Sequence, residues 1–77
     1  MNTRTRYEVW ASDTGEASHW KLLRNGVWFN QSNAEAMARV CFDPEGDCKR
    51  VCVEAWDDGR NVYLSTVYEL GADPEMI

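Results

Sequence analysis

The alternation of apolar and polar side chains along the chain predicts most of its secondary structure. The segment Thr5–Ser12, T-R-Y-E-V-W-A-S, alternates and is rich in strand formers, which predicts a first strand. Asn25-Gly26 lies at the centre of a second alternating stretch, and this dipeptide favours the type I′ turn of a β-hairpin. The implied register places Trp20, Leu22, Val27 and Phe29 on one face of the hairpin, and His19, Lys21, Leu23, Trp28 and Asn30 on the other.

A helical pattern follows this hairpin. Ser32 and Glu35 have the spacing of a capping box, which marks the start of a helix. We predict one helix over residues 33–42, ending before Pro44 because proline cannot continue a helix. Four residues fall on one side of such a helix: Ala34, Met37, Ala38 and Cys41.

Two further alternating runs flank Asp58-Gly59, a second type I′ signal, and predict a C-terminal hairpin. Its register pairs Ala55 with Val62 and therefore Val53 with Leu64. One face would then hold Val51, Val53, Ala55, Val62 and Leu64, and the other Cys52, Glu54, Trp56, Tyr63 and Ser65. Residues 71–77 are expected to form a frayed tail.

The predicted order is β-β-β-α-β-β in a single small domain, residues 1–77. One helix can cover one face of an antiparallel sheet of four to five strands, which gives a two-layer α+β fold. The opposite face, called the open face below, has no cover from its own chain. Its predicted aromatic residues are Trp28, Trp56 and Tyr63, with Trp10 as a further candidate. We expect the function to lie on this face.

Composition adds an asymmetry of charge. Residues 1–40 contain five basic and four acidic side chains, whereas residues 41–77 contain three basic and nine acidic ones. The acidic half favours a partner with a basic surface, because complementary charge steers association. Acidity that only keeps the protein soluble is the alternative. The candidate acidic contacts are Asp43, Glu45, Asp47, Glu54, Asp57 and Asp58.

The acidic half also argues against direct binding of nucleic acid, which requires clustered lysine and arginine. Aromatic residues on a sheet face can nevertheless stack on RNA bases. The basic residues that could form a local patch for such binding are Arg4, Arg6, Lys21 and Arg24.

Three cysteines and one histidine raise the question of a metal or catalytic site. The spacing of Cys41, Cys48 and Cys52 is C-x₆-C-x₃-C, unlike the paired C-x₂₋₄-C of zinc knuckles. Along one strand, Cys48 and Cys52 would lie about 13 Å apart. We therefore predict no metal site, no disulfide and no cofactor. A Cys–His nucleophile would need His19 beside a cysteine, and in the absence of any catalytic motif we predict a protein that is not an enzyme.

No apolar run approaches the roughly 20 residues of a membrane span, so no membrane association is predicted. The N-terminus lacks the apolar core of a signal peptide. Together with an odd number of cysteines, these features predict a reducing, cytoplasmic location.

In its length, in the acidity of D-P-E-G-D and W-D-D-G, and in its predicted one-helix antiparallel sheet, the chain resembles small inhibitors encoded by phages and mobile elements, such as anti-CRISPR and anti-restriction proteins. The resemblance implies a protein of the host bacterial cytoplasm that inhibits a host defence nucleoprotein. It would occupy the basic nucleic-acid-binding surface of that target, with carboxylates in place of phosphates. An antitoxin or small regulatory or assembly subunit, homodimeric through the open face, is the alternative.

Overall fold

The computed structural model describes residues 4–14 and 19–71. These residues form the strands β1 (Thr5–Ser12), β2 (Lys21–Trp28), β3 (Arg50–Asp57) and β4 (Val62–Leu70), with the helix α1 (Gln31–Cys41) between β2 and β3. The sheet is antiparallel, in the order β2-β1-β3-β4, and α1 packs on one of its faces. The predicted α+β class is confirmed. The predicted frayed tail, apart from Gly71, lies outside the described residues.

The strands β1 and β3 form the centre of the sheet. They pair without interruption from Thr5 opposite Asp57 to Ser12 opposite Arg50. The valines of both strands that point towards α1 are fully buried: Val9, Val51 and Val53. The predicted first strand is therefore confirmed, and the structure places it between two neighbours.

The helix α1 contributes alanines to the core. Ala34 and Ala38 are fully buried against the valines of the sheet, and Met37 packs beside them. An alanine side chain extends only one carbon from the backbone, so the helix lies close to the sheet. The predicted apolar side of the helix is confirmed for Ala34, Met37 and Ala38, whereas Cys41 is half-buried and does not belong to the core cluster.

The start of α1 differs from the prediction. The capping residue is Asn30, whose Oδ1 accepts a hydrogen bond from the backbone N–H of Asn33 at 3.2 Å. Asparagine caps a helix as well as serine does, so the capping box at Ser32 and Glu35 is not used. Within the part of the chain that the structure describes, no helix is long and apolar enough to cross a membrane.

The predicted hairpin at Asn25-Gly26 is wrong. Both of its arms belong to one edge strand, β2, which pairs with β1 on either side of the dipeptide. Opposite Val9 of β1, residues 23–26 form a large bulge, in which Asn25 has a left-handed φ of 60°. The local tendency to turn is real. The two arms pair with β1 rather than with each other, because the backbone groups along that edge of β1 need partners.

This bulge reverses the predicted faces of β2. Leu23 and Trp28 pack on the side of α1. Leu22 and Val27, predicted to be core residues, are 42% and 43% exposed. Trp20, predicted to share their core-facing side, lines the open face instead.

The hairpin of β3 and β4 is confirmed, but its turn is longer than predicted. Residues 58–61 form the loop, and the N–H of Asn61 donates to the carbonyl oxygen of Asp57 at 2.7 Å. The left-handed residue is Asn61, with a φ of 58°, and not Gly59. The two-residue type I′ turn at Asp58-Gly59 is therefore wrong.

The longer loop changes the register of β4. Two irregularities follow along the pair, and Tyr68 lies opposite Val53. The residues of β4 that contact the core are Val67 and Tyr68. Val62 and Leu64, predicted to be core residues, are 48% and 53% exposed.

Replacing Gly26 by valine should lower the free energy of unfolding by about 1–3 kcal/mol, the usual range for a forced steric overlap in a packed site. A Cβ atom at Gly26 would lie 2.7 Å from the carbonyl oxygen of Leu23 and 3.0 Å from that of Val9. Both are backbone atoms and cannot rotate away. Urea unfolding measures the change. Gly59→Val, in the exposed turn, is the control and should cost less than about 1 kcal/mol. Equal midpoints for the two variants would contradict the bulge.

Candidate protein-binding face

Three adjacent rows of side chains cross the middle of the open face, beside a fourth row that contains Ser12 and Arg50. Residues opposite one another on antiparallel strands project to the same side, so pairing defines each row. The central row contains Glu8 of β1 and Glu54 of β3, directly opposite each other. The two outer rows contain Trp10, Cys52 and Glu69 on one side and Arg6, Trp56 and Tyr63 on the other.

The structure therefore brings together three of the residues predicted to bind a partner: Glu54, Trp56 and Tyr63. The rings of Trp56 and Tyr63 meet edge to face, with their centroids 5.8 Å apart. Tyr63 is 46% exposed, so this pair presents aromatic surface to the solvent.

Each carboxylate of the central row is held by the tryptophan two residues further along its strand. Trp10 Nε1 donates to Glu8 Oε1 at 3.1 Å, and Trp56 Nε1 donates to Glu54 Oε1 at 3.2 Å. Both pairs arise from a Glu-x-Trp pattern, once in β1 and once in β3. The indoles and carboxylates thus hold one another in fixed positions on the face.

Arg6 neutralises one of these two carboxylates. Its Nε donates to Glu8 Oε2 at 2.7 Å, and the other guanidinium nitrogens donate to Asp58 Oδ1 at 3.1 Å and Asn61 Oδ1 at 2.6 Å. The guanidinium also lies over the ring of Trp56, 5.1 Å from its centroid. One side chain, only 14% exposed, therefore joins β1 to β3 and to the turn that follows β3.

Glu54 has no comparable cation. It is half-buried, and among the described residues its carboxylate forms no ion pair. Glu69, on β4, also has no ion-pair partner within the described ranges. Both carboxylates lie near the Cys52 thiol. Burial, and then the charges of Glu54 and Glu69, raise the pKa of that thiol to about 12, against a smaller opposite effect of Arg50.

A shallow groove of about 540 Å³ opens over this part of the face. Its lining includes three indoles, those of Trp10, Trp20 and Trp56, and the carboxylates of Glu54 and Glu69. Arg50 also lines the groove, with its guanidinium 5.9 Å from the centroid of Trp20. The groove thus combines aromatic surface with negative charge.

The Cys52 thiol should react slowly with alkylating reagents, because the thiolate is the reactive form. With a pKa of about 12, Cys52 is almost entirely protonated at pH 8. We expect iodoacetamide to modify it at least about a hundredfold more slowly in the native protein than in urea, where an ordinary thiol pKa near 8.5 applies. Mass-spectrometric mapping of the alkylated cysteines measures both rates. Equal rates would contradict the protonated, enclosed thiol.

Trp28 does not belong to this face, and its predicted role as an open-face contact rested on the wrong hairpin register. Its Nε1 contacts Met37 Sδ at 3.1 Å, and its ring packs against the core beneath α1. Trp28 is therefore part of the fold, on the opposite side of the sheet from Trp10 and Trp56.

The predicted acidic contacts do not form one patch. Asp57 and Asp58 lie at one end of β3, and Asp43, Glu45 and Asp47 lie in the loop before its other end. Asp58 forms ion pairs with Arg6 and Arg4, at 3.1 and 3.2 Å, which hold the pKa of that carboxyl below its usual value. Much of its charge is therefore used within the chain.

Two more of these carboxylates serve turns. Asp57 Oδ1 accepts the backbone N–H groups of Gly59 and Arg60, at 3.0 and 3.2 Å. Asp43 Oδ1 accepts the N–H of Glu45 at 3.1 Å. Of the six predicted acidic contacts, Glu54 is the one that lies among the aromatic residues of the open face.

The basic patch considered for nucleic acid is divided as well. Arg4 and Arg6 are both paired with Asp58. Lys21 and Arg24 lie on the edge strand β2, where both are exposed. Ion pairing at Asp58 thus removes two of the four basic side chains from such a patch.

His19 and Cys48 line the same small depression, of about 280 Å³, and His19 Nδ1 lies 3.2 Å from Asp13 Oδ1. A Cys–His nucleophile requires such proximity together with a lowered thiol pKa. The pKa of Cys48 is instead raised, by burial and then by its neighbours Cys41 and Asp47. The surroundings of Cys48 therefore favour the unreactive thiol.

The cysteines occupy two sides of the sheet. Cys48 packs against the core on the side of α1, whereas Cys52 lines the groove on the open face. In residues 4–14 and 19–71, no group of three or more histidine, cysteine, aspartate or glutamate side chains is arranged to hold a metal ion. The predicted absence of a metal site stays a prediction, which metal analysis of the purified protein can test.

Arg6, Trp20 and Glu69 were not predicted from the sequence as parts of the open face. A usable signal was present for Arg6, because Glu-x-Trp occurs in two of the predicted strands and period-two alternation places Arg6, Glu8 and Trp10 on one side. Trp20 and Glu69 carried no such signal, since their positions depend on the bulge in β2 and on the register of β4.

Comparisons of the chain with protein-family models, with curated proteins and with solved structures find no match. Its function is therefore inferred from the geometry and charge of the open face.

Proposed function

We propose that this protein is a binding protein, not an enzyme, and that it acts by occupying a basic surface of another protein with its open face. The observation that supports this most is the Glu54 carboxylate beside the ring of Trp56, with which no described residue forms an ion pair. Buried aromatic anchors supply most of the affinity in protein interfaces, and charged groups supply orientation and steering. The open face contains both.

In its narrower form, the proposal identifies the partner as a host defence nucleoprotein whose nucleic-acid-binding surface is blocked. The net charge of −5 supports a partner with a positive surface. Carboxylates of the open face, Glu54 and Glu69, would take the place of phosphates there. The acidic turns at the two ends of β3 would contribute to long-range steering rather than to the buried contact.

Capture of a partner from a bacterial lysate tests the proposal. Three immobilised proteins are compared: the wild type, Trp56→Ala and Val40→Ala. Val40, 85% exposed on α1, is an apolar residue remote from the open face and serves as the control. We expect one basic protein to be retained at low salt by the wild type and Val40→Ala, and to be lost with Trp56→Ala. The captured protein is then purified, and its affinity for nucleic acid is measured with and without this protein.

Competition between this protein and nucleic acid for the captured partner would support the inhibitor. Simultaneous binding of both would contradict the narrower proposal and retain a binding protein of another kind. Retention that does not depend on Trp56 would contradict the use of the open face.

A second candidate, a self-assembling subunit such as an antitoxin, is supported by β4. This strand forms an edge of the sheet, and its residues 62–68 carry no charge. Val62, Tyr63 and Leu64 are about half exposed. A long, uncharged edge strand is able to pair with a second copy. The dimer would then form through the edge of the sheet, and not through the open face as predicted from the sequence.

Sedimentation velocity over a wide concentration range distinguishes the two candidates. A dimer that dissociates in the variant Leu64→Lys would favour the subunit, because a lysine on an edge strand opposes pairing. A monomer at every concentration would exclude it.

A further inference from the structure

We propose that the groove on the open face receives an arginine side chain of the partner, with its guanidinium beside Glu54 and against the ring of Trp10. This inference rests on the proposed function, because it specifies what the basic partner presents.

The pairing of β1 and β3 has approximate two-fold symmetry about the central row. Glu8 lies opposite Glu54, and the residues two positions on, Trp10 and Trp56, lie opposite Cys52 and Arg6. The pattern Arg-x-Glu-x-Trp in β1 therefore corresponds to Cys-x-Glu-x-Trp in β3. One half of the arrangement contains an arginine, and the other half contains a cysteine at the equivalent position.

The half that contains the arginine shows how this face binds a guanidinium. Arg6 donates to Glu8 at 2.7 Å and lies over the ring of Trp56, the residue opposite it on β3. Planar guanidinium groups suit this combination, because they stack on aromatic rings and donate to carboxylates at the same time.

In the other half, Cys52 supplies no guanidinium. It lies at the base of the groove, 6% exposed, and the groove above it is lined by Trp10, Trp20, Arg50 and Glu54 among others, which leaves room for a guanidinium from outside. Glu54 lies directly opposite another carboxylate, a placement that destabilises a sheet unless a cation compensates it. Arg6 compensates Glu8, and no described residue pairs with Glu54. An arginine from outside would complete the arrangement, and Glu69 would add a second carboxylate to it.

Nucleotide bases could also stack on these indoles, but their phosphates would meet Glu54 and Glu69. Both carboxylates add to the effect of burial in raising the pKa of the Cys52 thiol, against a smaller opposite effect of Arg50. A guanidinium can stack on the indole rings and also neutralise the carboxylates, whereas a nucleotide can only stack on the rings.

Titration with a short peptide of alternating glycine and arginine, at physiological ionic strength, tests the assignment. The readout is the indole N–H resonances in ¹H–¹⁵N spectra. Those of Trp10 and Trp56 should shift, and that of Trp28, which lies on the other side of the sheet, should not. The lysine version should bind more weakly, and the uncharged citrulline version should not bind, since the guanidinium provides both the charge and the planar donors.

Two variants test the site: one removes its negative charge, and the other fills it with an arginine from the chain itself. Glu54→Gln keeps an acceptor for Trp56 but removes the charge, and should weaken peptide binding about tenfold, whereas Glu45→Gln, the same change in the exposed loop, should not. Cys52→Arg supplies the arginine from the chain itself. It should raise the melting temperature and abolish peptide binding, while Cys52→Ser should still bind.

The inference is overturned if Cys52→Arg still binds the peptide, if Glu45→Gln weakens binding as much as Glu54→Gln does, or if Trp28 shifts with the other indoles. Equal shifts with an oligothymidylate would indicate nucleic acid as the occupant, and shifts that depend on protein concentration alone would indicate a second copy. Both results would also overturn it. Capture that depends on Trp56, without any effect of the peptide, overturns the arginine assignment and retains the proposed function. Peptide binding at the groove, without a captured partner, overturns the proposed function and retains the groove as a site for arginine.

Discussion

Replacing Arg6 by alanine should lower the free energy of unfolding by about 3 kcal/mol, the cost of removing one member of a largely buried ion pair. The side chains of Arg6 and Glu8 are 14% and 9% exposed, so the variant leaves a carboxylate with little access to water. It also removes the hydrogen bonds to Asp58 and Asn61, which hold the turn between β3 and β4 against β1. Urea unfolding at neutral pH measures the loss.

Arg4→Ala is the matched control. Arg4 forms an ion pair with the same Asp58, but it is 63% exposed, so its loss should cost less than about 1 kcal/mol. A second check uses pH. The pKa of Asp58 is lowered from 3.8 in the folded protein, so its contribution is present above that value and is lost as the pH falls below it. The difference in the free energy of unfolding between the wild type and Arg6→Ala should therefore become smaller in acid. Equal effects of the two variants at neutral pH would contradict the central role of Arg6.

Trp28→Ala should destabilise the protein by about 2–4 kcal/mol, somewhat below the roughly 3–5 kcal/mol for a fully buried tryptophan, because Trp28 is half-buried. Trp28 contacts Met37 and packs against the buried core, so its removal leaves a cavity on the side of the sheet that α1 covers. Trp56→Ala should cost less, about 1–2 kcal/mol, since it removes ring contacts with Tyr63 and Arg6 and one hydrogen bond on the open face. Thermal and urea unfolding of both variants measure the difference.

Replacement of the two tryptophans should also have different effects on partner binding. Trp56→Ala should weaken capture of the partner while remaining folded, whereas Trp28→Ala should retain capture under conditions where it is folded. Loss of stability in Trp56→Ala that matches Trp28→Ala would mean that the covered and open faces are exchanged.

The local sequence pattern predicted correctly those elements whose position and buried face do not depend on which strand they pair with. Thr5–Ser12, the side of the helix with Ala34 and Ala38, and the alternation in β3 were all predicted correctly, because burial on one face determines each of them. It failed at Asn25-Gly26. The dipeptide forms a local turn in the structure, yet whether the flanking arms pair with each other or with a third strand depends on the free edge of β1, which local sequence does not report.

The candidate site was predicted in part for the same reason. Glu54 and Trp56 follow from the alternation of β3, and Tyr63 lies on the predicted face although its register differs from the predicted one. Trp28 was placed on the wrong side because its face depends on the bulge. The shared use of Asp58 by Arg4 and Arg6 joins residues far apart in the chain, and no periodicity predicts such a contact.

The bulge at residues 23–26 makes the two borders of the sheet unequal. Four residues of β2 stand opposite one residue of β1, which makes β2 a poor template for further backbone pairing, whereas β4, Val62–Leu70, has two smaller irregularities opposite β3. Addition of a strand is therefore less opposed at the β4 border than at the β2 border. Two copies joined at β4 about a two-fold axis would use up that border in both, and growth would stop. If copies of the chain pair through β4, this architecture therefore limits backbone association to a closed pair and opposes an open-ended fibre.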